Sequence, residues 1–191
     1  MRRIVLASAS PRRRDLLETL EIGPFSVCPA EGGEQAPDTD DPEAIVTALS
    51  GRKAEEVFGR VGPDALVIAA DTIVCCDGEV LGKPRDEEDA FRMLRLLSGR
   101  GHEVYTGICL LDRDGPVCGA EKTRVFFREL SDGEIRRYIE TGEPMDKAGA
   151  YGIQGKAALF VRAIEGDYFN VVGLPLCRLG RMLAAKGVSL L

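Results

Sequence analysis

An apolar run at residues 4–7, Ile-Val-Leu-Ala, passes through Ser8, Ala9 and Ser10 into a helix start. That junction constrains the fold more than any other stretch. The run has the character of a short buried strand. Ser10 followed by Pro11 reads as a helix N-cap with proline at the first helical position, where its missing N–H costs nothing. Leu16, Leu17 and Leu20 then recur on one helical face. A strand that opens straight into a helix gathers unpaired backbone N–H groups and about half a positive charge at one point. Arg12, Arg13 and Arg14 occupy the first turn, where the dipole disfavours cations. An anion docked at that terminus removes the conflict, as at phosphate sites. Three solvated arginines on a surface helix are the plain alternative.

Ala65–Cys76 is the second informative stretch, a continuous apolar strand interrupted by Asp71 and Thr72. A lone ionised carboxylate in an apolar sheet costs several kcal/mol unless it is paired or binds a metal. Asp77-Gly78 supplies a hairpin turn, and the chain returns through Glu79, Val80 and Leu81 to Gly82-Lys83-Pro84. Such a hairpin brings Lys83 back towards Asp71. A structural salt bridge accounts for that pair; so does a catalytic carboxylate tuned by a neighbouring cation and by Mg²⁺. Thr72 falls on the opposite face of a regular strand.

Elsewhere, residues 24–28 read as a strand and residues 30–41 as an acidic loop holding Glu31, Glu34, Asp38, Asp40 and Asp41. Ile45, Val46, Leu49, Ala54, Val57 and Phe58 recur at helical spacing from Pro42 to about Gly59, and Lys53 lies on that helix. A helix with core residues Ala90, Phe91, Leu94 and Leu97 starts among acids at residues 85–89 and ends at Ser98-Gly99. His102, the one histidine, reads as structural. Residues 103–111 and 117–127 form two long strands around the turn Asp112-Arg113-Asp114-Gly115. Ser131 with Glu134 is a capping box for a helix carrying Ile135, Tyr138 and Ile139. Residues 146–155 are glycine-rich, with the close backbone approach of a ligand wall, and precede an apolar strand at residues 157–164. Gln154 carries a donor and an acceptor, which suits the imide edge of uracil or thymine, and Lys147 is a second phosphate candidate. Residues 165–170 form a turn, and Leu176, Leu179, Met182 and Leu183 mark a last helix.

The alternation of strands and helices, followed by two adjacent long strands, predicts an α/β fold with a mixed, strongly twisted sheet. A chain of 191 residues suffices for one sizeable core. No apolar run approaches membrane length, and the start lacks a signal-peptide core, so the expectation is a cytoplasmic protein without a membrane anchor. The six cysteines contain no Cys-x-x-Cys pair and are expected to be reduced core residues. A net charge of −6 argues against a nucleic-acid-coating surface.

Ser8-Ala9-Ser10-Pro11-Arg12-Arg13 resembles the opening signature of the Maf proteins, nucleoside triphosphate pyrophosphatases. Further likenesses follow in family order at Ala70-Asp71-Thr72-Ile73-Val74, Gly82-Lys83-Pro84, Leu97-Ser98-Gly99-Arg100, residues 147–155 and Val171-Val172-Gly173-Leu174-Pro175. The resemblance implies one domain over residues 1–191, with two lobes around a deep cleft, commonly assembled as a homodimer. It implies hydrolysis of a nucleoside triphosphate to the monophosphate and pyrophosphate with Mg²⁺ or Mn²⁺. Arg12, Arg13, Lys53 and Lys83 would then neutralise the polyphosphate that Ser8 and the helix N-terminus cradle. Asp71 would be general base or metal ligand, with Glu34 assisting at the metal, although the wording around Glu34 departs from the family's. Arg12, Thr72 and Gln154 would select the base, and the wording at Thr72 and Gln154 is similar to members acting on dTTP and UTP rather than 7-methyl-GTP. The alternatives are a broader house-cleaning pyrophosphatase and a regulator of septum formation acting through partners.

Overall fold

A computed structural model describes residues 2–32 and 37–191 of the protein. The alternating part of the chain comprises β1 (Arg3–Leu6), α1 (Pro11–Thr19), β2 (Phe25–Val27), α2 (Pro42–Val61), β3 (Ala65–Cys76), β4 (Glu79–Leu81) and α3 (Glu87–Leu97). The two long neighbours are β5 (Gly101–Asp112) and β6 (Gly115–Phe127). The chain ends with α4 (Asp132–Ile139), β7 (Val161–Glu165), α5 (Tyr168–Val172) and α6 (Leu176–Ala185). The described strands form one seven-stranded sheet in the order β2-β1-β3-β5-β6-β7, with β4 paired to β3. β1 runs parallel to both β2 and β3, whereas β4 is antiparallel to β3 and β7 to β6. The sheet is therefore mixed, and the α/β expectation holds.

The chain divides into two compact units, one of Met1–Asp71, Thr106–Glu121 and Gly173–Leu191, the other of Thr72–Tyr105 and Lys122–Val172. In the first, Val5 of β1 and Ala7 just beyond it, Ala65, Val67 and Ala69 of β3, and Cys109 and Leu111 of β5 form one core with Ala54 and Val57 of α2. The intervening residues Ile4, Leu6, Leu66 and Ile68 are buried too, so these strands are covered on both faces. That is why their sequences read as unbroken apolar runs rather than alternating ones. α2 approaches β5 so closely that a Cβ at Gly107 would overlap the Val46 carbonyl.

The cysteines depart from expectation. Cys109 and Cys118 are bonded across the β5–β6 hairpin, with Cα atoms 4.1 Å apart. The tight turn at Arg113 and Asp114 makes them direct cross-strand partners, and no local motif announces that pairing. Cys177 is exposed and Cys28 half-buried, while Cys75 and Cys76 are buried free thiols. Burial pushes the Cys75 thiol up to about 11.

In the second unit, Asp77 and Gly78 turn the β3–β4 hairpin with positive φ at both positions, as a two-residue turn demands. The capping box of α4 is present, with Ser131 and Glu134 bonding reciprocally. Residues 157–164 differ from the continuous strand expected. Lys156–Leu159 is a 3₁₀ turn, and the ladder begins only at Val161. Phe160 N–H closes back onto Ala157 O at 2.9 Å instead of pairing across a strand. The Tyr168–Val172 stretch is a short helix rather than open turn, and Asp167 starts it by accepting from Phe169 N–H at 2.7 Å.

His102 is structural, as expected. It is 2% exposed, and it stacks edge-on against Phe127 and Tyr151 while its Nε2 shares a 2.9 Å hydrogen bond with the Tyr151 hydroxyl. Its Nδ1 has no hydrogen-bond partner among the described residues. Burial disfavours the imidazolium and holds the ring's pKa down at about 4, against 6.5 ordinarily. The unfolded chain therefore takes up a proton near pH 6.5 that the folded chain refuses until about pH 4. Stability contributed by the neutral ring is complete above 6.5 and falls as the pH drops through that window, by roughly 3 kcal/mol at its lower end. Urea denaturation between pH 7 and pH 4 should show that decline, and His102→Gln should make it shallower, leaving the part due to carboxylates such as Glu103 and Asp112 that are held below their ordinary range.

Candidate active site

The N-terminal junction folds as its residues dictate. Ser10 caps α1 by accepting from Arg13 N–H, and Pro11 takes the first helical position. Ser8 is buried, and its hydroxyl oxygen accepts from Ser10 N–H and from Arg13 Nη1, each at 3.2 Å. Both lone pairs are thus engaged, so what Ser8 can offer a ligand is its own proton. Arg13 also donates from Nε to Gly173 O at 2.7 Å and from Nη1 to Ala70 O at 2.9 Å. Its guanidinium therefore ties the start of α1 to the residue before Asp71 and to the segment leading into α6. Arg14 is bland, lying 3.6 Å from Asp15 and 3.7 Å from Glu18 on an exposed face. The conflict at the first turn is met in part by the chain's own carbonyls and carboxylates. Arg12 is half-buried at the same turn.

Asp71 is 6% exposed. Strand alternation places it on the same face of β3 as Ala65, Val67 and Ala69, the face that α2 covers. Lys53, preceding the core residue Ala54 on α2, brings its ammonium onto Asp71 Oδ1 in an ion pair, with side-chain exposures of 17% and 8%. This is the partner that the buried carboxylate requires. Its lysine comes from α2, whereas sequence reasoning looked for Lys83 through the hairpin. The hairpin itself is as expected, pairing Val74 with Leu81, Cys75 with Val80 and Cys76 with Glu79, and its ladder stops before exposed Lys83. Ser8, Arg12, Arg13, Lys53 and Asp71 all belong to the first compact unit; Thr72, Lys83 and Gln154 belong to the second. Glu34 lies outside the described residues.

Gln154 is exposed in a turn closed by Gly155 N–H on Gly152 O at 3.0 Å. The glycines around it have an internal explanation. A Cβ at Gly149 would press into Val74, one at Gly152 into Lys147, and one at Gly155 into the Glu143 carboxylate. The close approach foreseen for a ligand is made, at these positions, by the protein's own side chains. Lys147 likewise turns inward, donating to Glu143 O at 2.7 Å and Asp146 Oδ1 at 2.6 Å. Sequence reasoning missed the carbonyls of Ala70 and Gly173 as partners of Arg13, because backbone acceptors carry no side-chain signal.

The described residues contain no group of three His, Cys, Asp or Glu able to hold a metal between them. Asp71 alone is compatible with Mg²⁺ or Mn²⁺ in the manner of cations bound through one or two carboxylates, water and substrate phosphates.

The fold falls in one structural class with two solved proteins. The Staphylococcus aureus Ham1 protein superposes with a TM-score of 0.54 at 15% identity, over 96% of this chain and 99% of that one. A HAM1 protein from Coxiella burnetii gives 0.51 at 16%, over 97% and 100%. More specifically, the chain belongs to the family described as Maf-like protein, which matches residues 3–186. A relative from Pelotomaculum thermopropionicum, 52% identical over 193 residues covering all of both chains, is named dTTP/UTP pyrophosphatase. The same name is carried by a Thermococcus onnurineus protein, 57% identical over 173 residues, or 91% of this chain and 92% of that one. Among the described residues, no helix is long and apolar enough to cross a membrane.

The buried pair makes a stability prediction. Lys53→Met strands the Asp71 carboxylate without its ammonium and should cost roughly 3 kcal/mol in urea denaturation. Adding Asp71→Asn should recover most of that loss, because the uncompensated charge is removed with its partner.

Proposed function

We propose that this protein hydrolyses dTTP and UTP to the nucleoside monophosphate and pyrophosphate, acting in the cytoplasm as a homodimer. The observation that carries the reading is the buried Lys53–Asp71 pair, one residue along β3 from the carbonyl that Arg13 holds at the α1 N-terminus. Asp71 and the start of α1 belong to one compact unit, which supports reading the carboxylate as the activator of a nucleophile and the helix start as the anion site. The names of the relatives at 52% and 57% identity, matched over all of this chain and 91% of it, support the choice of substrate.

In this reading the α1 N-terminus, Ser8, Arg12 and Arg13 receive phosphate oxygens, and Lys53 and Lys83 add positive charge to the polyphosphate. Asp71 takes a proton from the attacking water as that oxygen bonds to phosphorus, the α–β anhydride bond breaks, and pyrophosphate leaves. Asp71 as metal ligand is the alternative to Asp71 as base: it would then hold Mg²⁺ or Mn²⁺ with Glu34 assisting, and the cation would supply Lewis-acid polarisation of the phosphoryl oxygens. Lys53 holds the Asp71 side chain in place through its ion pair and offsets its charge against the incoming anion. Gln154 meets the imide edge of uracil or thymine, and Thr72 and Arg12 contribute to base selection.

The test is product analysis of the purified protein with Mg²⁺ on dTTP, UTP, CTP, GTP, ITP and 7-methyl-GTP. Pyrophosphate should appear first from dTTP and UTP. A purine preference would overturn the substrate, and absence of turnover by folded protein would overturn the enzyme. Asp71→Asn should lower kcat by about a thousandfold while nucleotide binding stays measurable by calorimetry.

A further inference from the structure

The segment carrying Gln154 is bracketed from below by two side chains that the reaction does not use. Tyr138, on α4, accepts from Gly152 N–H at 3.2 Å and donates its own proton to Glu143 Oε1 at 2.9 Å. Glu143 Oε2 in turn accepts from Lys156 N–H at 3.1 Å. One phenol and one carboxylate thus hold backbone amides two residues before and two residues after Gln154. Ile153, between them, is buried, so the turn has an apolar anchor as well. Burial pushes the Tyr138 phenol well above its ordinary value, which keeps the donated proton in place. The absence of a Cβ at Gly155 is what lets the Glu143 carboxylate reach Lys156 N–H.

We propose that Tyr138 and Glu143 are positioning residues for Gln154 and thereby set the discrimination between uracil or thymine and cytosine. The inference rests on the reading of Gln154 as the group that meets the base. A carboxamide offers a donor and an acceptor, and a half-turn of its end lets it serve either an imide edge or a cytosine edge. A displaced Cα would carry the carboxamide out of register with the base edge, so the discrimination that Gln154 makes depends on where the backbone holds it. The bracket supplies that constraint through backbone hydrogen bonds, one of them to a carboxylate.

The experiment compares kcat and KM for UTP and CTP in four variants, with thermal unfolding as the check on folding. Glu143→Gln exchanges one acceptor oxygen for a donor at unchanged size. Lys156→Pro deletes the same hydrogen bond from its other end. Proline suits that position, because Lys156 opens a 3₁₀ turn and Gly155 before it is extended at φ −100° and ψ −152°. Lys156→Ala keeps the N–H and serves as the control, and Gln154→Ala removes the reader. Glu143→Gln and Lys156→Pro should each lower the UTP-to-CTP ratio of kcat/KM by about tenfold, through KM for UTP, with kcat held within about twofold. Lys156→Ala should leave the ratio unchanged. If Gln154→Ala lowers the ratio and the bracket variants do not, the positioning role is overturned and the reading of Gln154 survives. If Gln154→Ala leaves the ratio as it was, that reading falls and takes the bracket's role with it. An equal loss of kcat on both nucleotides in Glu143→Gln and Lys156→Pro would reduce the bracket to general scaffolding and overturn the proposal.

Discussion

A carboxylate placed in a strand that is covered on both faces sets conditions for everything packed around it. Removing an ion from water costs several kcal/mol even after relaxation, and the cost is offset only by a partner in good geometry. Asp71 shares its face of β3 with Ala65, Val67 and Ala69, so the element that buries this face must also deliver the counter-charge. α2 meets both demands, with Ala54 and Val57 in the core and Lys53 on Asp71. Each residue along a helix turns the side chain by about 100°, so a slip of one position would misplace the apolar contacts and the ammonium together. Packing and electrostatics thus fix the same register. The close passage of α2 over Gly107 adds a third constraint on where that helix sits.

The parts of this structure that were legible in the sequence are those written in a local code. Ser10-Pro11, Asp77-Gly78 and the Ser131–Glu134 box each place cap or turn chemistry within a few residues, and each forms as written. The unbroken apolar runs of β1 and β3 announced burial on both faces, and a carboxylate among them announced a partner without naming it. Lys53 stands 18 positions from Asp71, a link that only the docking of α2 reveals. Arg13 reaches the carbonyls of Ala70 and Gly173, 57 and 160 positions away, and no residue type marks a backbone acceptor. The apolar stretch at residues 157–164 misled for a related reason. Short apolar runs do not distinguish strand from tight helix by periodicity, and here the hydrogen bond from Lys156 N–H to Glu143 tips the start of the run into a 3₁₀ turn.

Glycine-rich segments deserve a similar separation of signal from cause. The glycines between residues 149 and 155 report correctly that something comes close to the backbone. What approaches is Val74, Lys147 and Glu143, parts of the same compact unit. The segment is therefore held by its own neighbours before any ligand arrives. Prior order lowers the entropic cost of binding, since fewer torsions remain to be fixed when the ligand docks.

A chain with net charge −6 that accepts a polyphosphate must solve its electrostatics at short range. At physiological ionic strength exposed charges are screened beyond about 8 Å, so the overall sign opposes encounter only weakly. In the proposed reading, contact is governed by the oriented amides at the α1 N-terminus and by the cations beside them. Those cations are not interchangeable. Arg14 is offset by Asp15 and Glu18, Lys147 by Asp146, and Lys53 by Asp71. Arg13 donates to the Gly173, Ala70 and Ser8 oxygens, which tie it to three separate segments. Those bonds fix the guanidinium in place. A lysine also carries three N–H donors, but all sit on one nitrogen and lack the planar fork whose separate nitrogens reach these acceptors. An arginine so held presents its guanidinium at a defined point beside the helix start, which is the property a phosphate-binding cation needs.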